Sequence, residues 1–191
     1  GSGGVLGVLA PTDAVGSDAY QPLMDIWVAL KEEPETLKAW YARRWDQMAS
    51  GDKVEEYEKI KANFNESPNG ADYIFLCSAC YGGVVRFRMK DGYMSTPCGA
   101  HWPMHPQTFS RRVDEWSHRV KGTTFECLGY DEVMSRARAG DVIYCDPPYS
   151  HSQAIVYGAQ KFSLEHLFRM ISLCKKRGVF VALSIDGTKK S

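Results

Sequence analysis

Leu23, Ile26, Trp27 and Leu30 recur at helical spacing, and Leu37, Trp40, Tyr41 and Trp45 resume it beyond Pro34. The period predicts helix from Leu23 to Ala49 with an interruption at the proline. The aromatic stripe on it is read as core rather than as a platform for bases. Val54 to Phe64 predicts a third, more charged helix with a solvated face. Asn65 to Asp72 reads as a loop, and apolar Tyr73 to Cys77 as the start of a short helix. Val84 to Met89 alternates, Lys90-Asp91-Gly92 turns and Tyr93 to Thr96 returns, which predicts a β-hairpin. Ser110 to Val120 is a helix carrying Arg111, Arg112, His118 and Arg119, the most basic local stretch. Then come a strand at Thr123–Cys127, a helix at Tyr130–Ala139 and a strand at Asp141–Tyr144. An amphipathic helix follows at Leu164–Lys176, ending at Gly178. Val179 to Ile185 is almost continuously apolar, as in a parallel strand covered on both faces. At the other end, a glycine-rich turn precedes the apolar run Val5 to Leu9, and Ala14 to Asp18 is a short strand ending in an acid. Strands separated by helices make this an α/β chain.

Composition narrows the picture modestly. The 191 residues, 44% hydrophobic and 24% charged, suit one domain or one domain with an insertion. Lys plus Arg equals Asp plus Glu at 23 each, so any nucleic-acid contact must come from a local basic face. No apolar run approaches the ~20 residues of a membrane span. Six thinly spread cysteines without a secretory signal read as reduced intracellular thiols. The chain starts at Gly1 rather than Met and stops just after an apolar strand, so it reads as part of a longer protein.

The chemistry concentrates at Asp146-Pro147-Pro148-Tyr149. A buried strand stops at two prolines, which fixes an acid, a rigid backbone and a ring at a strand's carboxyl end, where open α/β sheets bind ligands. That set suits transfer to a planar amino group. Asp146 and the Pro147 carbonyl accept from the amine, Tyr149 stacks on the ring, and positioning and electrostatics carry the rate. A Pro-Pro turn with a capping Asp is the plain structural alternative. Gly1-Ser2-Gly3-Gly4 followed by helix, strand and Asp18 has the order of a dinucleotide-type half, in which the acid takes ribose hydroxyls. Arginines alternating with aromatics on the hairpin suit phosphate pairing with base stacking, or are snorkelling arginines of an ordinary hairpin. Cys77-x-x-Cys80 and Cys98-x-x-His101 frame it at metal-ligand spacing, which leaves a zinc site open beside buried thiols.

Taken together, these segments resemble the Dam-like class of DNA adenine-N6 methyltransferases, including phage-encoded members, over the whole chain. Gly1 and Gly3 are similar to the end of that class's glycine-rich cofactor loop, and Asp18 to the acid that holds the ribose of S-adenosylmethionine. Tyr81-Gly82-Gly83-Val84-Val85-Arg86 is similar to its Asn-Gly-Leu-x-Arg recognition segment, with Gly82 where Asn is common. In that segment the apolar wedge falls to Val84 and the DNA contact to Arg86, beside Tyr81. Pro97-Cys98-Gly99 resembles Pro-Phe-Gly. Gly129 stands where an Asp before an aromatic flanks the cofactor adenine, and Asp131 replaces it only with a shifted register. Asp146-Pro147-Pro148-Tyr149 matches the catalytic motif in full, and His151 to Gly158 resembles the loop that closes over a flipped base.

The resemblance implies a Rossmann-like S-adenosylmethionine-dependent methyltransferase fold. It divides the chain into a catalytic domain at 1–50 and 122–191 and a target-recognition insertion at 51–121. It implies methylation of a flipped-out adenine in double-stranded DNA without a metal, by a monomer in the cytoplasm of a bacterial or phage-infected cell, in restriction-modification or a related role. An enzyme acting on RNA or cytosine N4, and a zinc-stabilised nucleic-acid-binding module, are the alternatives.

Overall fold

A computed structural model of the chain describes residues 3–148 and 162–184. The helices are α1 (Gly4–Leu9), α2 (Gln21–Glu32), α3 (Pro34–Ala49), α4 (Lys53–Glu66), α5 (Gly70–Ala79), α6 (Pro106–Arg119), α7 (Tyr130–Arg136) and α8 (Leu164–Lys176). The strands are β1 (Ala14–Asp18), β2 (Thr123–Cys127), β3 (Val142–Cys145) and β4 (Phe180–Leu183). Pro34 divides α2 from α3 as expected. It drives Glu33 out of the helical region, to φ −137° and ψ 57°, and then serves as first residue of the next helix. Asp52 caps α4 by accepting from Val54 and Glu55 N–H at 2.9 and 3.0 Å, and Asn69 caps α5 by accepting from Asp72 N–H at 2.8 Å.

Two cores result. The larger joins α2 to α6 and the hairpin, with Tyr41, Tyr57, Phe64, Phe75 and Leu76 fully buried. Two of its tyrosine hydroxyls are bonded to backbone: Tyr57 donates to Thr96 O and Tyr41 to Met104 O, each at 2.8 Å. The smaller core is Met134, Leu167, Cys174 and Val179, between α7, α8 and β4. Arg177 closes its rim by donating to Ser135 O at 2.7 Å and Met134 O at 2.5 Å. The strands form two parallel pairs. β1 runs beside β2 with Ala14 opposite Thr123 and Asp18 opposite Cys127, and β3 beside β4 with Val142 opposite Phe180 and Cys145 opposite Leu183. The chain is thus mixed α/β with short parallel strands. Among the described residues these are two separate two-stranded sheets.

Several expectations change. Asn65–Asp72 is not all loop: α4 runs on to Glu66 and α5 begins at Gly70, because Asn69 is a helix cap. α6 starts at Pro106, four residues early, since a proline suits a first helical turn. α7 ends at Arg136, where Ala137 turns extended (ψ 141°). The hairpin forms without regular strands, through isolated bridges Cys80–Cys98 and Phe87–Met94. Neither β3 nor β4 is the buried strand expected: Val142 is 74% and Phe180 66% exposed, and exposure alternates along each strand. Gly1, Tyr149, the 151–158 loop and Ile185 lie outside the described residues.

Candidate active site and nucleic-acid face

Both acids singled out in the sequence stand where a parallel strand ends. Asp18 is the last residue of β1, half-buried, and accepts the Tyr20 N–H at 2.9 Å. Tyr20 then starts α2, its carbonyl accepting from Leu23 and Met24 N–H at 3.1 and 3.2 Å. Asp146 follows Cys145 directly, exposed, with Pro147 and Pro148 half-buried behind it. Ser184 N–H donates to Cys145 O at 2.9 Å, so β4 is paired up to the residue before Asp146. Each acid therefore sits at the carboxyl end of its own strand pair, the ligand-binding end of an α/β sheet.

Gly3 turns left-handed at φ 67°, and a Cβ there would also fall on the Trp27 ring. Trp27 stacks on Phe125 of β2 at 5.2 Å. The glycine turn is in this way seated on the β1–β2 pair that carries Asp18.

The hairpin presents its arginines outward. Val85 and Phe87 are buried, Arg86 and Arg88 exposed. Thr96 Oγ1 accepts from Arg86 N–H at 2.7 Å and donates to Val84 O at 3.1 Å, and Gly92, at φ 68°, closes the turn by donating to Arg88 O at 2.9 Å. Arg88 is engaged by Asp91 at 2.7 and 3.0 Å and lies over the Tyr93 ring at 4.2 Å. Phe87 points into the core, so it is no stacking surface. The exposed ring is Tyr81, at 61%, with Val84 half-buried beside it. On α6, Arg111 and Arg112 are exposed, while Arg119 pairs with Glu115.

Among the described residues no three His, Cys, Asp or Glu side chains are placed to hold an ion. Burial pushes the Cys77 thiol up to about 12 and raises those of Cys80 and Cys98. His101 is exposed. The loop after the hairpin is held instead by Lys53, whose ammonium donates to the carbonyls of Gly99, Ala100 and His101 at 2.7, 2.8 and 3.0 Å. Nothing in the local sequence pattern marks Lys53, because its partners lie some 46 to 48 residues away.

Comparison with known proteins points the same way. Residues 1–190 match the family described as D12 class N6 adenine-specific DNA methyltransferase. The chain belongs to that family. It is 25% identical over 185 residues to the DNA adenine methylase of Vibrio cholerae serotype O1, covering 90% of this chain and 65% of that protein. It is 26% identical over 147 residues to the DNA adenine methylase of Escherichia coli K12, covering 71% and 51%, and 27% identical over 144 residues to the Type II methyltransferase M.MjaIII of Methanocaldococcus jannaschii, covering 70% and 49%. The chain thus spans about half to two thirds of the length of these relatives.

Proposed function

We propose that this family member transfers a methyl group from S-adenosylmethionine to N6 of an adenine in duplex DNA, with the base flipped out of the helix. The observation that carries this is Asp146-Pro147-Pro148 at the carboxyl end of β3, in a chain that matches the adenine-specific family from end to end. The donor set suits the cofactor: a left-handed glycine turn allows close approach, and a carboxylate at the end of β1 accepts from vicinal hydroxyls. Bound S-adenosylmethionine supplies a sulfonium methyl as the electrophile.

The chain's own residues then have distinct tasks. Gly1 and Gly3 line the cofactor turn and Asp18 takes the ribose. Asp146 and the Pro147 carbonyl accept from the two N6 hydrogens, drawing the nitrogen lone pair out of the ring, while Pro148 holds the backbone rigid and Tyr149 stacks on the base. Tyr81, Val84 and Arg86 meet DNA. Residues 1–50 and 122–191 form a Rossmann-like catalytic frame, and 51–121 is the target-recognition region packed on it through the shared larger core. The protein acts as a monomer in the cytoplasm, in restriction-modification or a related role. Among the described residues no helix is long and apolar enough to cross a membrane.

Incubation with methyl-labelled S-adenosylmethionine and, separately, duplex DNA, single-stranded RNA and duplex lacking adenine tests the reading. N6-methyladenine appears only in the adenine-containing duplex. Label in RNA or as N4-methylcytosine moves the substrate class, and no label in any of them overturns the assignment.

A further inference from the structure

Tyr20 is fixed at both ends by different parts of the molecule. Its N–H donates to the Asp18 carboxylate at 2.9 Å, and its carbonyl starts α2. Its ring packs edge-on against Tyr73 of α5 at 5.2 Å and against Phe87 of the hairpin at 5.8 Å. Phe87 lies between the outward Arg86 and Arg88, and its bridge to Met94 joins the hairpin's two arms. A cleft of about 360 Å³ is bordered by Tyr20, Phe87 and the turn residues Asp91 to Tyr93. The returning arm is moored to α4 by Asn65, which accepts from Met94 N–H at 2.6 Å and donates to Met94 O at 3.1 Å, and Phe87 is the hairpin side chain that meets Tyr20.

We propose that Tyr20 is a positioning residue that couples the recognition hairpin to Asp18, so that duplex DNA and S-adenosylmethionine bind cooperatively through the Tyr20–Phe87 contact. This rests on the function proposed above. DNA held by Arg86 sets the position of the hairpin arm that carries Phe87. Phe87 fixes the Tyr20 ring, and the backbone of Tyr20 fixes the carboxylate that takes the ribose. The cost of adopting the bound arrangement is met once, by whichever ligand arrives first, and linkage makes the effect reciprocal.

Calorimetric titration of the full chain with S-adenosylmethionine, with and without saturating sheared duplex DNA, measures the coupling. The wild type gains about fivefold or more in cofactor affinity when DNA is present. Tyr20→Phe, which keeps the ring, retains the gain. Tyr20→Ala loses it while its affinity for DNA without cofactor stays within about twofold. Phe87→Leu, which removes the contact from the hairpin side and keeps an apolar core residue, loses it too, and serves if Tyr20→Ala fails to fold. A gain unchanged in Phe87→Leu or Tyr20→Ala overturns the proposal, as does a wild type that binds each ligand indifferently to the other. A wild type that binds neither ligand overturns the functional reading and this inference with it.

Discussion

Asp72 is 2% exposed and carries a carboxylate into the larger core. It accepts from Arg44 Nε and Asn63 Nδ2, each at 2.5 Å, and from Asn69 Nδ2 at 2.8 Å, while its N–H is taken by the Asn69 cap. Three helices are tied at one residue. Asp72→Ala leaves the largely buried Arg44 guanidinium without its counter-ion and is expected to cost about 3–5 kcal/mol, read as a lower midpoint in urea. A loss under about 1 kcal/mol would show that the network is dispensable. Cys77 gives the other residue-scale expectation. Its thiol stays protonated in the fold up to about pH 12, whereas an unfolded thiol ionises near pH 8.5. The folded state therefore binds the extra proton, and this contribution to stability is whole below about pH 8.5 and is lost as pH rises toward 12. At pH 8 a thiol reagent should modify exposed Cys127 well before Cys77, as mass spectrometry of the labelled peptides will show.

At the scale of elements, the hairpin is where sequence and structure diverge in an instructive way. Its turn at Lys90–Gly92 was legible from the glycine, and its outward arginines from the alternation. Its mooring was not: Lys53 reaches three carbonyls of the loop after it, and Tyr20 meets Phe87, both long-range contacts. Local periodicity carries no such information. The same holds for α5, whose first turn hides in Ser67-Pro68-Asn69-Gly70, a stretch that reads as loop until Asn69 is seen to cap a helix. By contrast α2, α3, α4 and α8 follow from apolar spacing, because each packs one face on a core. The hairpin's outward face is tested through Arg86→Ala. It should weaken duplex binding and, if Arg86 meets a phosphate, reduce the slope of log affinity against log salt by about one unit. A base contact would show instead as about 1–3 kcal/mol less discrimination at one base pair. Binding unchanged in both respects would remove the hairpin from the DNA interface.

Across the whole molecule, the strand-end positions of the two acids were legible because Ala14–Asp18 reads as a short strand ending in an acid and the apolar run Val142–Tyr144 as a strand stopped by prolines just beyond Asp146. What the sequence did not carry is how the two parallel pairs are held: β1 and β2 are over 100 residues apart in the chain and meet with Trp27 stacked against them, whereas β3 and β4 meet across α8. The separation of the pairs gives the mechanism its sharpest test, because it assigns different losses to different acids. Asp18→Ala removes an acceptor for ribose hydroxyls, and a charge-assisted hydrogen bond of about 1.5–3 kcal/mol corresponds to roughly tenfold or more in cofactor affinity. DNA affinity measured without cofactor should stay near wild type. Asp146→Ala should abolish N6-methyladenine formation yet leave DNA binding largely intact, since phosphate contacts supply most of that affinity. Paired titrations of both variants with cofactor and duplex, beside a turnover assay, distinguish the two roles. Near-wild-type turnover in Asp146→Ala would remove that residue from catalysis, and unchanged cofactor affinity in Asp18→Ala would show that the β1 end is not where the ribose sits.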